Sequence, residues 1–141
     1  MATYYGDQMT KVTNLVVNQR PAIADVSAPE RVFLETITLA SQAAADIIYC
    51  GRIPQGARVV RISLNTSVTL GTSQLALGIT GSTSKYRAAA VLTSTDQWVP
   101  LALNAVTGVA LTAQEDIFLT VSAATLPASG KLMVLTEYTF N

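Results

Sequence analysis

The chain has 141 residues, of which half are hydrophobic and 13% are charged. This length suits one domain, and the charged share is well below the usual value of about 25%. Nine basic residues balance nine acidic ones, and no basic cluster is visible. Because electrostatic capture of nucleic acid needs a basic face, we expect no direct nucleic-acid binding. So few charges suit a protein that has neighbours packed against it, or one in an extracellular setting, better than a highly charged cytosolic monomer.

The residue types that most enzymes and metal sites rely on are scarce. The chain contains no histidine, which removes Ser-His and Cys-His nucleophile pairs and the commonest zinc ligand. The adjacent acids Glu115 and Asp116 begin a predicted strand, so their side chains should point to opposite faces. Cys50 lies in an apolar run, which favours a small buried residue. We therefore predict no catalysis, no cofactor and no bound metal.

The first 31 residues differ from the rest of the chain. They hold Pro21 and Pro29, a polar start and a short apolar patch between residues 12 and 17. Proline resists both helices and central strands, so we predict an extended arm over residues 1–31, with one short strand or helical turn near residues 11–18. An arm of this kind is either disordered or lies on another surface. We expect no secretory signal in the arm, and no apolar run of the chain is long enough for a membrane-spanning helix.

From residue 32 to residue 141 the chain reads as one β domain. Apolar and polar residues alternate along short runs separated by turn residues. The predicted strands cover residues 32–40, 46–53, 57–70, 74–80, 97–103, 116–124 and 131–140. Residues 85–92 are ambiguous, because their alanines favour a helix while Tyr86 and Val91 favour a strand. Pro100 implies an edge strand or a bulge.

About eight short strands without a long helix predict an all-β fold. Two packed antiparallel sheets are the usual arrangement, either a jelly roll or an immunoglobulin-like sandwich, and we predict a single jelly-roll-like β-sandwich. Residues 57–80 read as a β-hairpin around Gly71, with Val60, Ile62 and Leu64 on the buried face. The last two strands are joined by a short Pro-Ala-Ser-Gly connection, so we predict that they also pair.

A few aromatic residues are candidates for binding. Trp98 could form a sugar-binding platform, although its apolar neighbours favour packing in a core or an interface. Tyr4 and Tyr5 are adjacent aromatics on a polar arm and could anchor it in a groove of a partner, unless the terminus is simply mobile.

One long segment carries a family resemblance. Residues 53–92, which read IPQGARVVRISLNTSVTLGTSQLALGITGSTSKYRAAAVL, and the ending LTAQEDIFLTVSAATLPASGKLMVLTEY resemble small virion structural proteins of tailed bacteriophages. The resemblance implies a capsid decoration (cement) protein or a related head or tail component of the virion. It also implies a homo-oligomer, with a trimer favoured, that binds the major capsid protein on the capsid surface of the virion after assembly in the host cytoplasm.

These observations favour a non-enzymatic protein that stabilises a phage capsid through oligomeric contacts and its arm. The alternative is a fibre, spike or tail component with a carbohydrate- or receptor-binding β-sandwich, and an enzyme is the third hypothesis. The candidate interface residues are Tyr4, Tyr5, Val12, Leu15, Val16, Arg20, Pro21, Arg61 and Trp98.

Overall fold

The computed structural model describes residues 30–104 and 106–140, and these residues form eight β-strands and no helix. The strands are β1 (Arg31–Thr38), β2 (Ile47–Ile53), β3 (Ala57–Thr66), β4 (Gln74–Ile79), β5 (Ser82–Val91), β6 (Val99–Pro100), β7 (Glu115–Ser122) and β8 (Lys131–Phe140). The all-β prediction is confirmed. A helix that could cross a membrane is not found among the described residues.

The strands form two antiparallel sheets of four. Sheet A has the order β1-β8-β3-β6, and sheet B has the order β2-β7-β4-β5. Along the chain, all consecutive strands lie in different sheets except β4 and β5. Two four-stranded sheets interleaved in this way form a jelly roll, which confirms the predicted jelly-roll-like sandwich.

The hairpin predicted for residues 57–80 is wrong. Strand β3 pairs with β6 and β8, whereas β4 pairs with β5 and β7, so residues 67–73 carry the chain from sheet A to sheet B. The pairing predicted for the last two strands is wrong for the same reason, because β7 lies in sheet B and β8 in sheet A. Alternation shows which face of a strand is buried, but it does not show which strand is its neighbour.

The hairpin that the structure does contain joins β4 and β5. Ile79 lies opposite Ser82, so the two residues Thr80 and Gly81 make the turn. This resolves the ambiguous segment, because residues 85–91 belong to strand β5. Gly78 allows the two strands to approach closely, since a Cβ atom there would lie 2.2 Å from the backbone oxygen of Ser82.

A β-bulge changes the predicted face of one residue. Val60 was expected on the buried side of β3, but the register with β8 shifts between Val59 and Arg61. The extra residue reverses the alternation, so Val59 is fully buried while Val60 is 43% exposed. Strand β3 therefore has Ala57 and Val59 inside before the bulge and Ile62 and Leu64 inside after it.

The core fills the space between the two sheets. It consists of the inward residues of both sheets together with apolar residues of the connecting loops. Cys50 is completely buried in this layer, as predicted, and burial raises the pKa of its thiol to about 12. Pro100 lies in the short edge strand β6, which confirms the edge position predicted for it.

Two fully buried threonines differ in their hydrogen bonding. The Thr66 hydroxyl donates to the carbonyl oxygen of Val68 at 2.6 Å. The Thr136 hydroxyl lies opposite Ile62 on the core side of β8, and it has no hydrogen-bond partner among the described residues. Burying a hydroxyl without a partner costs free energy, whereas a satisfied one contributes to stability.

We expect the substitutions Thr136→Val and Thr66→Val to have opposite effects. The first replaces an unsatisfied hydroxyl by a methyl group of the same shape and should raise the free energy of unfolding by about 1 kcal/mol. The second removes a satisfied hydrogen bond and should lower it by about 1 kcal/mol. Urea unfolding of both variants measures the difference. A loss of stability in Thr136→Val would show that its hydroxyl has a partner.

Candidate functional site

The candidate interface residues fall into two groups. Tyr4, Tyr5, Val12, Leu15, Val16, Arg20 and Pro21 lie outside the described residues. Arg61 lies in β3 and points away from the core, and Trp98 directly precedes β6 with 43% of its surface exposed. Arg61 thus belongs to the solvent side of sheet A, and Trp98 is the residue before the edge strand β6 of the same sheet.

The outer face of sheet A is defined by the residues that alternate with its core residues. Cross-strand register aligns Val32 and Leu34 of β1 with Glu137 and Leu135 of β8, and these with Arg61 and Ser63 of β3. Val32 is 54% exposed and Leu34 is 53% exposed. Met133, Thr36, Asn65 and Pro100 also belong to this face, with Thr38 and Lys131 at one end and Arg58 and Thr139 at the other. The face is apolar along β1 at Val32 and Leu34.

An ion pair on this face joins Arg61 and Glu137. The guanidinium donates two hydrogen bonds to the carboxylate, from Nε to Oε2 at 2.5 Å and from Nη2 to Oε1 at 2.7 Å. The hydrogen bonds and the charge of Glu137 raise the pKa of Arg61, and Glu30 adds to this effect. The Glu137 side chain is only 9% exposed, whereas that of Arg61 is 56% exposed. The arginine thus holds a nearly buried carboxylate.

An open groove of about 420 Å³ lies beside this pair. Its lining combines Arg61, Glu137 and Glu30 with the apolar residues Val60, Pro100, Leu101 and Leu103. Two carboxylates face one guanidinium there, so the groove is slightly acidic with apolar walls. This combination suits a side chain that has an apolar stem and a cationic or hydrogen-bonding end.

A second polar cluster lies at the edge of sheet B. The carboxylate of Glu115 contacts the ammonium group of Lys85 and accepts a 2.7 Å hydrogen bond from the hydroxyl of Tyr86. Burial and this hydrogen bond raise the pKa of Tyr86, because both favour its neutral form. The carboxylate is neutralised by the lysine and the tyrosine is a weaker acid than usual. The cluster therefore offers no free base or nucleophile.

The neighbouring acid makes a different pair. Asp116 accepts two hydrogen bonds from Arg52, which lies opposite it on β2, at 2.5 Å and 3.0 Å. These hydrogen bonds lower the pKa of Asp116. Glu115 and Asp116 thus point to opposite faces, as the sequence predicted. Among the described residues, three or more potential metal ligands do not come together anywhere.

Two exposed arginines should differ in their effect on stability. Arg61→Ala leaves the nearly buried carboxylate of Glu137 without its two donors, so it should lower the melting temperature. Arg52→Ala is the matched control, since the side chains of Arg52 and Asp116 are both well exposed, at 63% and 43%, and it should change the melting temperature little. Equal effects in thermal unfolding would contradict the distinction.

Asp116 should titrate below the usual range of an aspartate. Because its folded pKa is lowered, its contribution to stability is present above the unfolded value of about 3.9 and is lost as the pH falls through the folded pKa. In Arg52→Gln the carboxyl should titrate closer to the usual value. Carboxyl carbon chemical shifts followed by NMR measure both pKa values, and an identical titration in the two proteins would show that Arg52 does not hold the carboxylate.

Comparison with known proteins gives a likeness of fold. No protein-family model matches the chain, and no curated protein matches it. The structure "Cyanophage Pam1 capsid asymmetric unit" contains a chain with a TM-score of 0.67 and 16% identity, over 81% of this chain and 86% of that one.

Two further capsid structures contain similar chains. In "Capsid of Ralstonia phage GP4" the TM-score is 0.61 at 19% identity, over 80% of this chain and 85% of that one. In "Acidic stable capsid structure of Helicobacter pylori bacteriophage KHP30" it is 0.56 at 14% identity, over 80% and 93%. The resemblance to phage virion structural proteins is thus confirmed as a likeness of fold: this jelly roll also occurs in chains of three phage capsid structures.

Proposed function

We propose that this chain is a non-enzymatic structural component of a phage virion, a decoration protein that binds the major capsid protein on the capsid surface and stabilises the shell. The observation that carries the proposal is the match to chains of three phage capsid structures, which extends over 85% to 93% of those chains. Matches of that extent align nearly whole chains rather than a shared fragment.

The chemistry of the described residues supports a structural role. The Glu115 carboxylate is neutralised by Lys85, and the Cys50 thiol is buried with a raised pKa. These two groups would be the first candidates for a base and a nucleophile, and neither is available to a substrate.

The outer face of sheet A is the surface that we propose contacts the capsid shell. It has exposed apolar residues along β1, a groove beside Arg61, and Trp98 near its short edge strand. Tryptophan and arginine are among the residue types that dominate binding energy in protein interfaces. A protein that binds several shell subunits in this way stabilises them by burying surface that only the assembled shell offers.

Self-association and the arm complete the proposal. The favoured oligomer is a homotrimer, and the division into an arm over residues 1–31 and a domain over residues 32–141 stays a prediction. The arm would reach a neighbouring subunit, with Tyr4 and Tyr5 as anchors and Val12, Leu15, Val16, Arg20 and Pro21 along its contact. Repetition of weak contacts around a symmetry axis multiplies their effect. Assembly would take place in the host cytoplasm, without contact to nucleic acid or membrane.

One observation favours a second function. Trp98 is 43% exposed, which leaves part of an aromatic ring available as a platform for a sugar. The second candidate is therefore a fibre, spike or tail component that binds a carbohydrate or receptor.

Electron microscopy of the purified virion separates the two functions. Density for this chain on the capsid surface is the expected result, and density at the tail tip together with glycan-array binding that is lost in Trp98→Ala would support the second function. Absence from the particle would contradict both.

A variant without residues 2–28 tests the arm. We expect this variant to bind shells more weakly than the full chain. Unchanged oligomerisation and unchanged binding would refute the role of the arm.

A further inference from the structure

The free edge of β1 differs from the other edges of the sandwich. All eight residues of β1 pair with β8 in an unbroken register, and no strand pairs with its other side among the described residues. The backbone N–H and C=O groups on that side are available to a further strand. Val32 and Leu34 beside them are more than half exposed.

The other three edges are protected by irregular backbone. Strand β2 contains a bulge between Tyr49 and Gly51, and β5 has two shifts in its register with β4. Strand β6 consists of two residues, of which one is Pro100. Bulges, short strands and proline are the devices by which edges avoid pairing. Within the described part of the chain, β1 is thus the one long and regular edge.

The sequence of β1 is complementary to itself. Along an edge strand, the backbone N–H and C=O groups of every second residue face the free edge. When two copies of one strand pair antiparallel around a two-fold axis, residues of this kind must lie opposite residues of the same kind. The axis therefore passes through a residue that faces its own copy. With Phe33 on the axis, Arg31 lies opposite Glu35, and Val32 lies opposite Leu34, each pair occurring twice. Opposite charges and apolar side chains then meet over residues 31–35, and Thr36, Ile37 and Thr38 extend beyond this paired segment.

Neighbouring registers lack this complementarity. With Val32 on the axis, Arg31 faces Phe33, and with Leu34 on the axis, Phe33 faces Glu35. With Arg31 or Glu35 on the axis, a residue faces a like charge. Opposite-charge, aromatic and aliphatic cross-strand pairs stabilise a sheet, while like charges directly opposite destabilise it. Among these registers, the one centred on Phe33 places Arg31 and Glu35 opposite each other.

The two charges also explain how such an edge avoids other strands. Arg31 and Glu35 share the side of β1 on which Phe33 contacts the core, and both are exposed. If a strand of another sequence paired with this edge, Arg31 or Glu35 would lie opposite a residue without the complementary charge. Inward-pointing charges protect sheet edges in this way. A second copy in the register above neutralises both charges. The same residues therefore repel most strands and select this one.

We propose that β1 forms an antiparallel edge-to-edge contact with β1 of a second copy of this chain, with Phe33 on the two-fold axis. The contact joins two A sheets into one continuous eight-stranded sheet. It places the two outer faces of sheet A side by side and leaves the groove beside Arg61 open in both copies. The inference stands apart from the virion role, because it concerns a contact between two copies whatever the protein does. In the proposed trimer it would join copies of different trimers.

Cysteine cross-linking tests both the contact and its register. We would mix the full-length variants Val32→Cys and Leu34→Cys under mild oxidation. Directly opposite residues are within reach of a disulfide, whereas diagonal neighbours at about 7–8 Å are too far apart. The mixture should therefore form a disulfide-linked dimer containing one copy of each variant, and each variant alone should form little. The native Cys50 is fully buried and does not compete.

The matched control is Val91→Cys on the edge strand β5, which is 49% exposed. It should cross-link no faster than random collision allows. Self-linking of Leu34→Cys or Val32→Cys at the rate of the mixture would overturn the register, and no cross-link in any mixture would overturn the contact. A cross-link that forms only after residues 2–28 are removed would show that the arm occupies this edge instead, which also overturns the proposal.

Charge reversal provides an independent test in the same assay. Glu35→Arg places two cations opposite each other at both ends of the contact, so cross-linking of the mixture should fall several-fold. Adding Arg31→Glu to both copies restores opposite charges and should restore the cross-link. Circular dichroism confirms that each variant is folded. Loss without rescue in a folded double variant would contradict the pairing of Arg31 with Glu35.

Discussion

The burial of one apolar layer between two sheets is the constraint on which the rest of this structure depends. Every strand contributes to one wall of that layer, and each wall needs residues of alternating character to keep one face inside. The core includes fully buried residues of both walls, such as Ile62 and Val134 of sheet A and Leu77 and Leu119 of sheet B. Because the inner faces are fixed by this layer, the outer faces remain free to carry contacts.

The positions of the strands could be predicted because each depends on a local pattern. Alternation located β1, β2, β7 and β8, Pro100 identified an edge, and the adjacent acids at residues 115 and 116 separated to opposite faces. The pairing of the strands could not be predicted, because it depends on partners far along the chain. The Gly71 turn resembles a hairpin turn locally, yet it lies in a segment that crosses between the sheets.

In the candidate site, too, the local sequence predicts the character of a residue but not its partners far along the chain. Arg61 was recognisable as a residue of a solvated face, but its partner Glu137 lies 76 residues away, and nothing near either residue identifies the other. The bulge at Val60 has no signature in the residues themselves, because an extra residue in one strand is defined only against the register of its neighbour. The apolar edge of β1 was visible as a pattern, but its position at the border of a sheet was not.

The order of the strands in sheet A has a consequence for biosynthesis. Strand β8 is the central partner of both β1 and β3, so sheet A has no continuous form until β8 has been made. Most of the contacts of the sandwich likewise join distant parts of the chain, which makes folding slow and cooperative. A ribosome-bound or truncated chain that stops before β8 therefore cannot present the outer face of sheet A. The strand that comes last along the chain thus holds together the sheet whose outer face carries the Arg61 groove.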